Sequence, residues 1–159
     1  MKAIKPGLMP HLVTLYNVFI SPATGEPSYF RTFLKRTRIM SFSSSVRVET
    51  GGWTRVVTSA LLVDPRTTQG YRHGTKGIRI PKRYLDPPAW DKLPPEDKER
   101  FWTLKEGDLI VHLVNNGEST IDPDLTSAEF QVLAPRKIGS IKSEPDKRGR
   151  VHHWELGLV

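Results

Sequence analysis

Residues 12–63 carry two hairpin signals back to back, and this constrains the fold more than any other feature of the chain. Leu12-Val13-Thr14-Leu15-Tyr16-Asn17-Val18-Phe19-Ile20 is mostly β-branched and aromatic, the composition of a strand. Ser21-Pro22-Ala23-Thr24-Gly25-Glu26-Pro27 interrupts it with turn residues. The chain resumes at Tyr29–Ile39, with Phe30, Thr32 and Leu34 on one face and Arg31, Phe33 and Lys35 on the other. Val46-Arg47-Val48-Glu49 alternates again, Gly51-Gly52 turns, and Thr54–Val63 runs on as a strand. Hairpins over 12–39 and 45–63 predict an antiparallel meander.

The rest of the chain continues in the same idiom. Residues 64–77 show no periodicity, contain three glycines and three cationic residues, and are expected to form a long basic loop. Ile78-Arg79-Ile80-Pro81 is a short strand. Residues 86–100 are a Pro-rich acidic insert, and Pro94–Trp102 holds the only helical signal, with proline and acids at its start. Thr103–Leu113 is a strand entered through Gly107-Asp108. Asn115-Asn116-Gly117 and Asp122-Pro123-Asp124 signal turns, and Phe130–Leu133 and Ile138–Ile141 short strands. Val151–Leu158 is extended, with His152, Trp154, Leu156 and Leu158 on one face, and is expected to dock as a final strand. About eight strands and no fixed-period repeat predict one all-β domain over 1–159, a small antiparallel β-barrel or barrel-like sandwich with long loops and at most one short helix.

The chemistry signals are mostly negative. With no cysteine, disulfides, thiolate metal sites and Cys nucleophiles are excluded. His11, His73, His112, His152 and His153 show no helical ligand spacing, and the adjacent pair diverges on a strand, so no metal is expected. Gly70-Tyr71-Arg72-His73-Gly74-Thr75-Lys76-Gly77 superficially suggests a phosphate loop. Its Lys is followed by Gly, however, and no strand-to-helix frame surrounds it. It reads either as a solvated loop or as a loop that grasps a nucleic-acid backbone. Seven acids and four bases lie between Asp86 and Asp108, but a Pro-rich connector mounts paired catalytic carboxylates poorly. No catalytic residues and no cofactor are expected, and the chain reads as a non-enzyme. The N-terminal residues lack a signal-peptide core, and runs such as Ala60-Leu61-Leu62-Val63 are too short to span a bilayer.

Charge is the positive signal. The net charge is +7, which attracts polyanions, nucleic acid first. Cations gather at Arg31–Arg38, at Arg136–Arg150, and above all at Arg66, Arg72, Lys76, Arg79, Lys82 and Arg83. No base-reading motif accompanies them, so the pattern supports sequence-independent phosphate contact, or merely a charged surface.

Three motifs in order carry a resemblance: Met9-Pro10-His11-Leu12-Val13-Thr14-Leu15-Tyr16-Asn17, then Phe101-Trp102-Thr103-Leu104-Lys105-Glu106-Gly107-Asp108-Leu109-Ile110-Val111, then His153-Trp154-Glu155-Leu156-Gly157. Together they resemble the minor capsid, or head–tail connector, proteins of tailed bacteriophages and prophages. The resemblance implies a head-closure (stopper) role: a small β-barrel in a homo-oligomeric ring, typically of six copies, between portal and adaptor proteins above and tail proteins below. Such a ring would retain packaged double-stranded DNA in the virion neck, after assembly in the bacterial host cytoplasm, without contact to a membrane. In it, Arg66, Arg72, Lys76, Arg79, Lys82 and Arg83 are expected to face the channel. The basic 64–83 segment and the Pro-rich insert depart from the family's usual form. The alternatives are a free-standing OB-like barrel for single-stranded nucleic acid, with only Tyr71 and Tyr84 near the cations for stacking, and a tail-completion or adaptor protein of the same connector.

Overall fold

A computed structural model describes residues 6–64, 66–113, 118, 135–145, 148 and 151–159. Its strands are β1 (His11–Ile20), β2 (Pro27–Arg47), β3 (Trp53–Val63), β4 (Gln69–His73), β5 (Arg79–Tyr84), β6 (Phe101–Trp102), β7 (Leu109–Val111), β8 (Arg136–Pro145) and β9 (Val151–Leu158). Two one-turn helices, α1 (Pro87–Asp91) and α2 (Pro95–Lys98), lie in the insert. The predicted turns at 115–117 and 122–124 and the strand at 130–133 fall outside the described residues.

Six strands close a barrel in the order β1-β7-β8-β9-β3-β2, and β2 pairs back onto β1. Every barrel strand turns apolar side chains inward. Val13 and Leu15, Leu34, Leu61 and Val63, Ile110, Ile138, and Leu156 and Leu158 form one buried cluster. Along each strand these residues obey the two-residue period that the sequence displays. The final strand is docked as expected: Leu156 stands opposite Leu61 of β3 on one side and Ile141 of β8 on the other.

Two expectations need correction. The two predicted hairpins share one 21-residue strand, β2. It pairs with β1 over Pro27–Thr37 and with β3 over Thr37–Arg47. Nor is 64–77 a structureless loop: Gln69–His73 form β4 against Phe33–Lys35. Gly70 and three flanking polar residues hide the strand, because its order comes from the neighbouring edge of β2 and not from its own apolar period.

One device produces both effects. Pairing slips between His11 and Leu12, leaving Arg36 as an extra residue in the left-handed region at φ 62°. The Arg36 carbonyl accepts a hydrogen bond from Thr68 Oγ1 at 2.8 Å. Thr68 belongs to a tight turn in which the Asp64 carbonyl accepts from the Thr67 and Thr68 amides. The fully buried Asp64 carboxylate accepts from the Arg66 amide at 2.9 Å. This turn lets the chain leave β3, which lies in the barrel, and return as β4 beside an earlier part of β2. A three-stranded extension, β4-β5-β6, thereby grows off the barrel.

The insert contains two helical turns where at most one was expected, because Pro87 and Pro95 each pre-set a helix start after an extended residue. It does not stand off in solvent. Trp90 is fully buried, with ring contacts to Phe19 and Phe30. The Lys98 ammonium sits 4.2 Å from the Trp90 ring centroid and donates to the Trp90 carbonyl at 2.6 Å. Burial lowers the Lys98 pKa from its ordinary value.

Beneath it lies a polar knot. Asn17 is fully buried on β1. Its amide donates to the Thr103 carbonyl at 2.8 Å and to Asp108 Oδ2 at 2.7 Å, and its carbonyl accepts from the Thr103 amide. Asp108 also accepts from the Val18 and Lys105 amides. Burial pushes its carboxyl up to about 6, although the Val18 and Asn17 hydrogen bonds oppose the shift.

Candidate nucleic-acid interface

The extension carries the site. Register places Phe33 of β2 beside Tyr71 of β4, and Tyr71 beside Pro81 of β5. Alternation puts Arg31, Phe33, Lys35, Gln69, Tyr71, His73, Arg79 and Arg83 on the same face of this small sheet. The contacts agree. Phe33 and His73 both pack on the Tyr71 ring. Arg79 lies 4.8 Å and Lys35 5.5 Å from the Tyr71 centroid, and Arg31 lies 5.2 Å from that of Phe33. Aromatic rings thus alternate with cations, which cation–π attraction holds in place.

A cleft of about 440 Å³ opens here. Among the described residues its charged lining comes from Lys35, Arg79, Lys82 and Arg83, and its ring surfaces from Tyr71, Tyr84 and Trp102. Lys82 is 5% exposed. Its ammonium donates to Thr32 Oγ1 at 2.6 Å and to the Arg31 carbonyl at 3.1 Å, both neutral acceptors. Burial lowers its pKa to about 8. Glu99 opposes that shift, and Arg72 and Arg31 add to it. The ammonium therefore stays mostly protonated at neutral pH, in a setting already short of negative charge.

Gly70 shapes the cleft wall. A Cβ there would lie 2.6 Å from Trp102 Nε1 and 3.1 Å from Thr32 Cγ2. Trp102 is buried and packs on Tyr84, which in turn packs on Trp154. Gly70→Ala is expected to displace the indole and to cost about 2–3 kcal/mol. Denaturant unfolding measures the loss, and an unchanged midpoint would mean that the wall is free to move.

Of the six residues singled out from sequence, the fold gathers Arg79, Lys82 and Arg83 at the cleft. Arg72 projects from the opposite face of β4 and has its Nε buried without a hydrogen-bond partner. Lys76 is exposed in a left-handed conformation in the 3₁₀ turn Thr75–Gly77. Arg66 is drawn away by Asp64, with Nε 3.2 Å from the carboxylate. Sequence reasoning missed Lys35 and Phe33 as partners of this site. The alternation in 30–35 marked their shared face, but not that β4 would pair there. Among the described residues, no group of three or more histidine or acidic side chains is placed to hold a metal ion, and no helix is long and apolar enough to cross a membrane.

Comparison with known proteins adds one finding. A protein-family model described as a family of unknown function (DUF6751) matches residues 9–158. No curated protein and no solved structure matches the chain.

Proposed function

The chain belongs to the family of unknown function DUF6751, and we propose that it is a structural component of a phage neck, a head-closure ring subunit whose basic extension meets double-stranded DNA without reading its sequence. The observation that carries this reading is the cleft lined by Lys35, Arg79, Lys82 and Arg83 on a strand extension outside a closed barrel. Guanidinium and ammonium groups on a small sheet suit phosphates at any sequence, and the helices among the described residues are single turns, too short to fill a groove.

Support for assembly comes from the far end of β2 and β3. Beyond the pairing of β3 with β9, the two strands continue as a ribbon whose described residues are exposed, and Trp53 near its turn is 72% exposed. A two-stranded ribbon is marginal by itself, and contact with a neighbouring copy would stabilise it. The Pro-rich insert is not available as such an arm, because Trp90 anchors it to its own barrel. Phe33 and Tyr71 give the single-strand alternative its best argument. Both rings are buried, however, and stacking a base needs an open ring face.

The test is duplex binding by the full chain across a salt series. The expected result is weak binding with no sequence preference, and affinity falling with salt by roughly one logarithmic unit of slope per phosphate contacted. Arg83→Ala is expected to reduce the slope by about one and to weaken all sequences alike. Tighter binding to single strands, or binding indifferent to salt, would overturn the duplex reading. Electron microscopy of the assembled neck tests the ring.

A further inference from the structure

Glu118 meets the cationic face, and its placement is informative. It reaches Tyr71, His73 and Arg79 together. One carboxylate oxygen accepts the Tyr71 hydroxyl, the other meets His73 Nε2, and Arg79 Nη2 lies 3.7 Å from the first. Three donors of different kinds from two adjacent strands thus converge on one oxyanion. Each is held in place independently of Glu118. Register sets His73 opposite Arg79, the Tyr71 ring packs between Phe33 and His73, and the guanidinium lies over the Tyr71 ring.

We propose that Tyr71, His73 and Arg79 form an oxyanion site for phosphate, which the Glu118 carboxylate occupies as an internal stand-in until a phosphate group takes its place. A phosphate oxygen accepts hydrogen bonds as a carboxylate oxygen does, and arginine, histidine and tyrosine suit either. Phosphate gains more than the carboxylate does, because it carries more charge and the flanking cleft adds Lys35 and Arg83. The phenol stays a donor throughout the neutral range, since burial and Glu118 raise its pKa to about 12. The internal acid gives the face a default state in which its donors are satisfied, and it sets a threshold that weak anions do not pass. That the phosphate belongs to DNA rests on the function proposed above. The oxyanion site itself does not.

Inorganic phosphate and a duplex of arbitrary sequence are titrated into the full chain, wild type and Glu118→Gln. The His73 imidazole resonances report the first probe and fluorescence anisotropy the second. Glu118→Gln keeps the side chain's size and removes its charge. It is expected to lower the half-saturating phosphate concentration about tenfold, the worth of one opposing charge at a partly exposed site. Adding Tyr71→Phe to that variant is expected to cancel the gain. If both probes gain, the site takes phosphate and DNA supplies it. If phosphate gains and the duplex does not, the site stands and the DNA reading falls. If neither gains, or if Tyr71→Phe leaves the gain intact, the inference is overturned. Should Glu118→Gln fail to fold, Glu118→Asp withdraws the carboxylate by one methylene and gives the same comparison.

Discussion

Asn17→Asp is expected to leave no folded protein at neutral pH, although it changes one NH₂ group to an oxygen. In the native chain that NH₂ donates at once to Asp108 and to the Thr103 carbonyl. An aspartate would set a second buried carboxylate about hydrogen-bond distance from the first and lose both donated bonds. The expected cost is about 4 kcal/mol or more, at the upper end for single substitutions. The pH dependence has a definite sign. Asp108 already has its folded-state pKa raised to about 6 from 3.8, so the folded state holds its proton at higher pH than the unfolded chain. A like-charged neighbour widens that gap, because the pair shares one proton. Stability of the variant therefore rises as pH falls through the range from above 6 towards 4, where the unfolded carboxyls also protonate. Circular dichroism melts at about pH 7.5 and about pH 5 should show an unfolded chain and partial recovery respectively. A variant that melts like wild type at both would show that the knot does not hold β1 to residues 103–108.

Trp90→Ala comes next in size. The indole is fully buried, with Phe19 and Phe30 at its edges and the Lys98 and Lys105 ammoniums within 4.5 Å of its ring centroid. Removing it opens a large cavity and takes from the buried Lys98 one of its two ring partners, leaving Phe19. A loss of about 3–5 kcal/mol is expected. The effect should begin locally, with the insert leaving the barrel, so limited proteolysis between residues 86 and 100 is the sensitive readout. Trp90→Phe is expected to cost only about 1–2 kcal/mol, because Trp90 Nε1 has no hydrogen-bond partner to lose and the π-face survives. Equal losses for the two variants would mean that the cations contribute little.

The residues of the knot lie in two of the three motifs singled out in the sequence. Asn17 ends the first segment, and Thr103 and Asp108 belong to the second. They meet in the knot, while β1 and β7 pair directly through Leu15 and Ile110. The third segment supplies Trp154, which packs on Tyr84, and Leu156 in the core. These motifs secure the barrel, and the candidate cationic face lies elsewhere. The cationic cleft lies on the extension between the first two motifs.

The barrel was legible because strand composition and turn chemistry are local. Leu12–Ile20 is rich in β-branched and aromatic residues and Val151–Leu158 alternates along the chain, and both became strands of the closed sheet. The candidate site was half legible. Clustered charge pointed to Arg79, Lys82 and Arg83, but Lys35 and Phe33 join them only because the bulge at Arg36 and the turn at Asp64 bring β4 beside β2. A residue like Gln69 or Arg72 adopts a strand when an unpaired edge offers its amide and carbonyl partners, and the sequence carries no record of that edge. The same holds for the burial of Trp90 and for the meeting of Glu118 with Tyr71, His73 and Arg79. The amino-acid sequence determined alone the period of each strand, the turns between them and the excess of positive charge, since each depends on neighbours within a few residues. The tertiary structure decided which strand lies beside which, and with it every contact that makes a site, because pairing between distant segments depends on closure of the whole sheet.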